Sequence, residues 1–133
     1  YISNFKKIIL ICISEAVRSF DKKLVSEQEV LNNIADMIMV TYVSESLVLR
    51  VAKRETMKEN IPVYRDILDT YIYDSSSLIR RSAYDAVYSM STADKVVPVI
   101  KAIEALTSVK GVNVRDARRR IADKLIEDNT YSF

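Results

Sequence analysis

The stretch that decides the fold is "NIADMIMVTYVSESLVLRVAK", residues 33–53, which has helical periodicity but no clean polar face. At about 100° per residue, the apolar side chains of this region gather on two sides of one helix. The first side holds Val30, Ile34, Ile38, Tyr42, Leu49 and Ala52, and the second holds Val40, Val43, Leu47 and Val51. A helix that is apolar on most of its circumference is typical of a central position. We therefore expect cover on both sides, and the second side is a candidate interface with either its own bundle or a second body.

The acidic residue Glu45 falls near the middle of the first apolar side. A carboxylate buried there must be ion-paired, hydrogen-bonded or protonated. We predict a structural role, in which Glu45 pairs with an arginine of another helix, Arg80 or Arg120. The alternative is a general base whose pKa is raised by burial. No second acid, metal-ligand set or phosphate loop lies near Glu45 in the sequence, so the structural role is favoured.

Helical periodicity continues outward from this stretch. A first helix is expected over about 3–23, and the capping-box pattern at 26–29 predicts the start of the second. Nothing breaks that second helix before residues 58–60. Asn60 can cap a third helix, with Pro62 in its first turn, where the missing N–H costs nothing.

The second half of the chain carries the signals of two or three more helices. Three serines at 75–77 weaken helix locally, yet the pattern favours one continuous third helix. Ser91 or Thr92 can cap a fourth helix, and Gly111, the only glycine, is expected to end it in a left-handed conformation. Asn113, three residues before Asp116, predicts the cap of a fifth.

The composition agrees with a purely helical fold. One glycine and two prolines in 133 residues leave little material for turns, and no strand-type alternation is present. The length suits one core. We therefore predict an all-α, up-and-down bundle of four to five helices, with residues 1–133 forming a single domain.

The residue counts exclude several kinds of chemistry. The chain has no histidine and one cysteine, so the usual zinc sites and the Ser-His or Cys-His catalytic sets are absent. Cys12 cannot form an intrachain disulfide, which suits a reducing compartment, and its place in an apolar stripe predicts an inert core residue. No apolar run reaches the roughly 18 residues of a membrane-spanning helix.

A basic cluster, Arg115 with Arg118-Arg119-Arg120, is the densest charge in the sequence. It could contact phosphate, nucleic acid or a partner protein helix, which makes a stand-alone helical adaptor the alternative function. Interleaved acids and a net charge of +2, from 20 basic and 18 acidic residues, favour a solvated face instead.

Three blocks of the sequence resemble a known family: "SNFKKIILICISEAV" (3–17), "SEQEVLNNIADMIMVTYVSESLVLRVAK" (26–53) and "RDARRRIADKLIEDNTYSF" (115–133). They are similar to the C-terminal helical domain of bacterial long-form acyl-CoA dehydrogenases, which are related to the very-long-chain enzymes. The middle of the chain, 61–110, agrees only in the order of its helices. The resemblance, and a start at Tyr1 inside a helical pattern, imply a fragment of a longer chain.

The resemblance implies a parent flavoprotein of fatty acid β-oxidation. Such an enzyme uses FAD to introduce a double bond between C2 and C3 of an acyl-CoA, and passes the electrons to an electron-transfer flavoprotein. The FAD site and the catalytic glutamate belong to an upstream core, so no catalytic, cofactor-binding or metal residue is carried over to this chain. The fragment is expected to be non-catalytic, to pack on that core in the bacterial cytoplasm, and to support dimerisation or contact with a membrane surface. A small enzyme that uses Glu45 ranks last among the hypotheses.

Overall fold

The computed structural model describes residues 1–57, 61–90 and 93–130, except the side chains of residues 61 and 93–95. Its helices are α1 (Ile2–Phe20), α2 (Gln28–Thr56), α3 (Ile61–Met90), α4 (Ala93–Leu106) and α5 (Val114–Asp128), with a 3-10 turn at Asp21–Ser26. All regular secondary structure in the described ranges is helical. The prediction of an all-α bundle is confirmed.

The central element of the bundle is α3, because it contacts each of the other four helices. The longest contact is with α2, which runs antiparallel to it, since Ser44 lies beside Ser75 and Glu55 beside Arg65. Within the described ranges, the helices that α2 contacts are α1 and α3 alone. The expectation that α2 is central is therefore wrong, since α2 flanks the bundle and leaves one side uncovered.

A single stripe of α2 is buried, with its members three or four residues apart through most of its length. These members are Val30, Ile34, Met37, Thr41, Ser44 and Val51. Ile38, Tyr42 and Leu49, which the helical wheel placed on a covered side, are exposed. The wheel ranked faces by hydrophobicity, whereas the contact with α3 uses small hydroxyl side chains. The polarity of Ser44 is satisfied within its own helix, since its hydroxyl donates to the Val40 carbonyl oxygen at 2.8 Å.

The core is built from α1, α2, α3 and α4. From α1 it takes Phe5, Ile8 and Cys12, each fully buried, and from α3 it takes Ile79 and a run of small residues. Burying such side chains contributes about 1.5–3 kcal/mol each when they are large and aliphatic. This common core fixes where the outer faces of α1 and α2 lie relative to each other.

The junction between α1 and α2 differs from the sequence prediction. The first helix ends at Phe20, because Asp21 takes a positive φ of 45° and starts the 3-10 turn. The Ser26 hydroxyl donates to the Lys23 carbonyl oxygen at 2.7 Å inside that turn, so it is not the cap of α2. The cap residue is Glu27, and its side chain makes no capping hydrogen bond. The predicted capping box is wrong.

In the second half of the chain, two sequence predictions about helices are confirmed and one is wrong. The α3 helix runs unbroken through Ser75–Ser77, as predicted. The side chain of Asn113 accepts from the Asp116 backbone N–H at 3.3 Å, which confirms the cap of α5. Gly111 has no positive φ and lies beyond the end of α4 at Leu106, so its predicted role as a left-handed stop is wrong. The proposed caps Asn60, Ser91 and Thr92 fall outside the described residues.

Candidate functional site

The carboxylate of Glu45 lies at the edge of the covered face of α2, not in its middle. Its side chain is 43% exposed, and its Oε1 atom accepts from Lys6 Nζ at 2.7 Å. The predicted partners, Arg80 and Arg120, are both engaged elsewhere, so that pairing is wrong. A half-exposed, ion-paired carboxylate also lacks the burial that the general-base hypothesis required.

The guanidinium of Arg80 joins α3 to the end of α4. Its Nε donates to Thr107 Oγ1 at 2.7 Å, and its Nη2 donates to the Thr107 carbonyl oxygen at 3.2 Å. Thr107 is fully buried and follows the last residue of α4, where a helix leaves carbonyl oxygens without partners. Arg80 is therefore a structural residue, which supplies hydrogen bonds to a buried helix end.

Near this contact, the Tyr84 hydroxyl donates to Glu104 Oε1 at 3.0 Å. Burial and this hydrogen bond both raise the pKa of Tyr84. Its ring meets Tyr88 edge to face, with centroids 6.3 Å apart. The hydrogen bond to Glu104 joins α3 to α4, whereas the ring contact lies within α3.

The basic cluster of α5 is largely paired with acids. Arg120 makes a two-point contact with Asp66, from Nε to Oδ2 at 2.7 Å and from Nη2 to Oδ1 at 2.6 Å, which raises the pKa of Arg120. Arg118 contacts Asp74 at 2.8 Å. Arg115 contacts Asp116 at 2.7 Å and, together with Asn113, holds the pKa of that carboxyl below its usual range. The α3–α5 side of the bundle is therefore ionic and locally balanced.

The four interface candidates of α2 divide into two pairs. Val51 is buried, and Val40 packs against the core, so both face their own bundle. Val43 is exposed and Leu47 half-buried, and together with Leu49 they line a shallow depression. The predicted interface thus retains only Val43 and Leu47 at the surface.

A larger apolar surface lies where the sequence predicted cover. We name it the apolar α1–α2 face and define it by the exposed side chains Leu10, Ile13, Val17, Leu31, Ile38, Tyr42 and Leu49. Its middle is a groove lined by Leu10, Ile38 and Tyr42, and the Lys6–Glu45 pair also borders the groove. Several large apolar side chains exposed side by side are typical of an interaction surface.

The thiol of Cys12 is an inert core group. It is fully buried, and burial, with a smaller contribution from Glu15, raises its pKa to about 12. The described residues contain no cluster of three His, Cys, Asp or Glu side chains placed to hold a metal ion. No described helix is both long enough and apolar enough to cross a membrane.

Comparison with known proteins decides the family. Residues 4–104 match the family model described as acyl-CoA dehydrogenase, C-terminal domain. The chain belongs to this family. The match confirms the resemblance seen in the sequence and extends it into the middle of the chain, where only helix order had agreed.

Two relatives show how much of an acyl-CoA dehydrogenase this C-terminal domain represents. A probable acyl-CoA dehydrogenase of Bacillus subtilis (strain 168) is 28% identical over 133 residues, which cover 98% of this chain and 22% of the relative. The crystal structure of an acyl-CoA dehydrogenase complexed with FAD from Bacillus anthracis matches with a TM-score of 0.94 and 28% identity, over 99% of this chain and 23% of that one. The chain therefore spans less than a quarter of the length of these relatives.

The feature that sequence reasoning missed in this acyl-CoA dehydrogenase domain is the apolar α1–α2 face. A signal was present, since Leu31, Ile38 and Leu49 recur at seven and eleven residues, alongside a second stripe that contains Thr41 and Ser44. A wheel cannot tell which of two such stripes meets the partner helix. Which stripe of α2 becomes buried depends on the small residues of α3, and a helical wheel of α2 contains no information about them.

Proposed function

We propose that this chain is the non-catalytic helical part of an FAD-dependent acyl-CoA dehydrogenase and packs on the catalytic part of that protein. The parent would oxidise the C2–C3 bond of an acyl-CoA in fatty acid β-oxidation and pass the electrons to an electron-transfer flavoprotein, in the bacterial cytoplasm. The observation that carries the proposal is the TM-score of 0.94 over 99% of the chain with an acyl-CoA dehydrogenase complexed with FAD. Dimerisation and contact with a membrane surface stay predictions from the resemblance.

The described residues do not fit a flavin site of their own. A depression between the start of α1, α3 and the segment after α4 is bordered by Asp66, Asp69 and Arg120. Its charges balance, because Lys110 lines it as well, and the guanidinium is already engaged by Asp66, so no excess of positive charge is left to hold a pyrophosphate. The only glycine of the chain, Gly111, lies in open space, with no atom within 4 Å of the position that a Cβ would take, and forms no phosphate cradle. The flavin would thus be held by the other part of the parent protein.

The experiment compares the 133-residue chain with the full-length polypeptide that contains it. After purification, the full-length protein is expected to be yellow, with a flavin absorption band and acyl-CoA-dependent reduction of an artificial electron acceptor. The 133-residue chain is expected to be helical by circular dichroism and colourless, even after incubation with FAD. A full-length protein that holds no flavin would refute the proposal, and so would a flavin bound by the 133-residue chain.

The alternative adaptor function receives no support from the basic cluster. Three of the four arginines in this cluster, Arg115, Arg118 and Arg120, each contact a carboxylate, so a phosphate would have to displace these pairs. Binding to generic DNA or RNA that weakens steeply with added salt would support the adaptor function.

A further inference from the structure

The two sides of this bundle differ in their balance of ionic and apolar groups, although single apolar side chains such as Ile126 are exposed on the α3–α5 side too. The α3–α5 side carries contacts between arginine and carboxylate, such as Arg118–Asp74 and Arg120–Asp66, and suits water. The apolar α1–α2 face has one bordering ion pair, Lys6–Glu45, and seven exposed apolar side chains. Its members Tyr42 and Leu49 are 69% and 66% exposed, so the bundle itself gives them almost no cover.

The face is continuous across two helices. The Lys6–Glu45 contact fixes the antiparallel register of α1 against α2, and Leu10 then lies beside Ile38 and Tyr42 in one groove. The same register brings the exposed side chains of Val17 and Leu31 to the far end of the two helices. Two neighbouring helices thus present one apolar strip along their shared length, which is the form of a surface that receives another packed element.

We infer that the apolar α1–α2 face is the surface on which the catalytic part of the acyl-CoA dehydrogenase docks; this rests on the proposed function. More than three quarters of the Bacillus anthracis chain lies outside the portion that matches this bundle. A bundle linked covalently to so large a body meets it at an effective concentration in the millimolar range when the linker is short. Apolar contacts that are too weak to hold two separate molecules together would then be enough to keep the bundle docked. This favours the linked catalytic part, rather than a second copy of the bundle, as the body that covers the face.

The test reads side-chain accessibility in the full-length flavoprotein. Tyr42 and Tyr88 are matched probes, because within the bundle they are 69% and 63% exposed, on α2 and α3. Hydroxyl-radical footprinting with mass spectrometry should oxidise Tyr42 several-fold more slowly than Tyr88. Leu10 and Leu49 should likewise react more slowly than Ile126, which is 76% exposed on α5.

A paired substitution separates docking from general folding. The double variant Leu10→Gln/Leu49→Gln removes two apolar contacts of the face and should raise the oxidation rate of Tyr42 toward that of Tyr88. The control Ile126→Gln removes an equally exposed aliphatic side chain from α5 and should leave the rate at Tyr42 unchanged. In both variants a low oxidation rate at Tyr64, which is 7% exposed in the folded bundle, shows that the bundle stays folded.

The possible failures are distinguishable. Equal oxidation of Tyr42 and Tyr88 in a full-length protein that carries FAD would overturn this docking face and leave the proposed function standing. Protection of Tyr42 that disappears on dilution would mean that a second copy covers the face, which also overturns the inference. A full-length protein without FAD would refute the proposed function itself.

Discussion

Ser44 and Ser75 place their hydroxyl oxygens 3.3 Å apart between α2 and α3, and both side chains are buried. Small side chains at this contact let the two helices approach closely, while the Ser44 hydroxyl also bonds to a carbonyl oxygen of its own helix. The serines that interrupt the apolar pattern of α3 therefore include contact positions. Ser76, next in the sequence, is buried as well.

Enlarging Ser44 should separate α2 from α3. We expect Ser44→Leu to lower the free energy of unfolding by about 1–3 kcal/mol, because the added carbons must be fitted into a packed contact. Ser46 is the matched control, since it also bonds to the carbonyl oxygen four residues before it but faces solvent. Ser46→Leu should change the stability by less than about 0.5 kcal/mol. Urea unfolding followed by circular dichroism measures both, and equal losses would contradict the prediction.

The helices were more predictable than their contacts. Long apolar periodicity was enough to place α2 and α3, and the Asn113 cap followed from a local side-chain bond to Asp116. Which face of α2 is buried was not predictable, because Thr41 and Ser44 score as polar on a helical wheel although both are buried in the structure. The predicted role of Gly111 was wrong because α4 ends at Leu106, five residues before this glycine.

Removing the guanidinium of Arg80 should destabilise the junction between α3 and α4. We expect Arg80→Met to cost about 1–3 kcal/mol, since a charged donor is lost and the buried Thr107 oxygen atoms are left with fewer partners. The neighbouring Arg81 is the control, because it is exposed and comes no closer than 3.9 Å to its acidic neighbour Asp85. Arg81→Met should be nearly neutral. A Thr107→Val variant combined with Arg80→Met should then cost less than the sum of the two single changes.

Neutralising Glu45 distinguishes a surface pair from a buried one. We expect Glu45→Gln to change the free energy of unfolding by less than about 1 kcal/mol, as for other solvent-exposed ion pairs, and added salt should reduce even that. A buried pair with Arg80 or Arg120 would instead have cost about 3–5 kcal/mol. Asp66→Asn, which breaks the two-point contact to Arg120, should cost more than Glu45→Gln. Thermal unfolding at low and high salt measures both variants, and the reverse order would contradict the prediction.

The candidate site was only partly accessible to sequence reasoning. The helical wheel groups Val40, Val43, Leu47 and Val51 as one surface, yet only Val43 and Leu47 lie at the surface. The sequence suggests arginines of later helices as partners for Glu45, whereas the actual partner, Lys6, lies on α1. A charged pair between helices depends on their register, which a single sequence does not state.

The Cys12 thiol should make stability depend on pH in the alkaline range. Burial raises its pKa from 9.0 to about 12, so the unfolded chain loses this proton at a lower pH than the folded chain. Between these values the unfolded state binds fewer protons, and stability must fall as pH rises, by about 1.4 kcal/mol per pH unit from this group. Cys12→Ala removes the group, although it leaves a small cavity. Urea unfolding measures the free energy of unfolding of the unsubstituted chain and of Cys12→Ala. The difference between the two values should shrink steadily above pH 9. The titrations of tyrosine and lysine affect both proteins equally and therefore cancel in this difference. A difference that stays constant up to pH 11 would show that the folded thiol ionises as easily as the unfolded one.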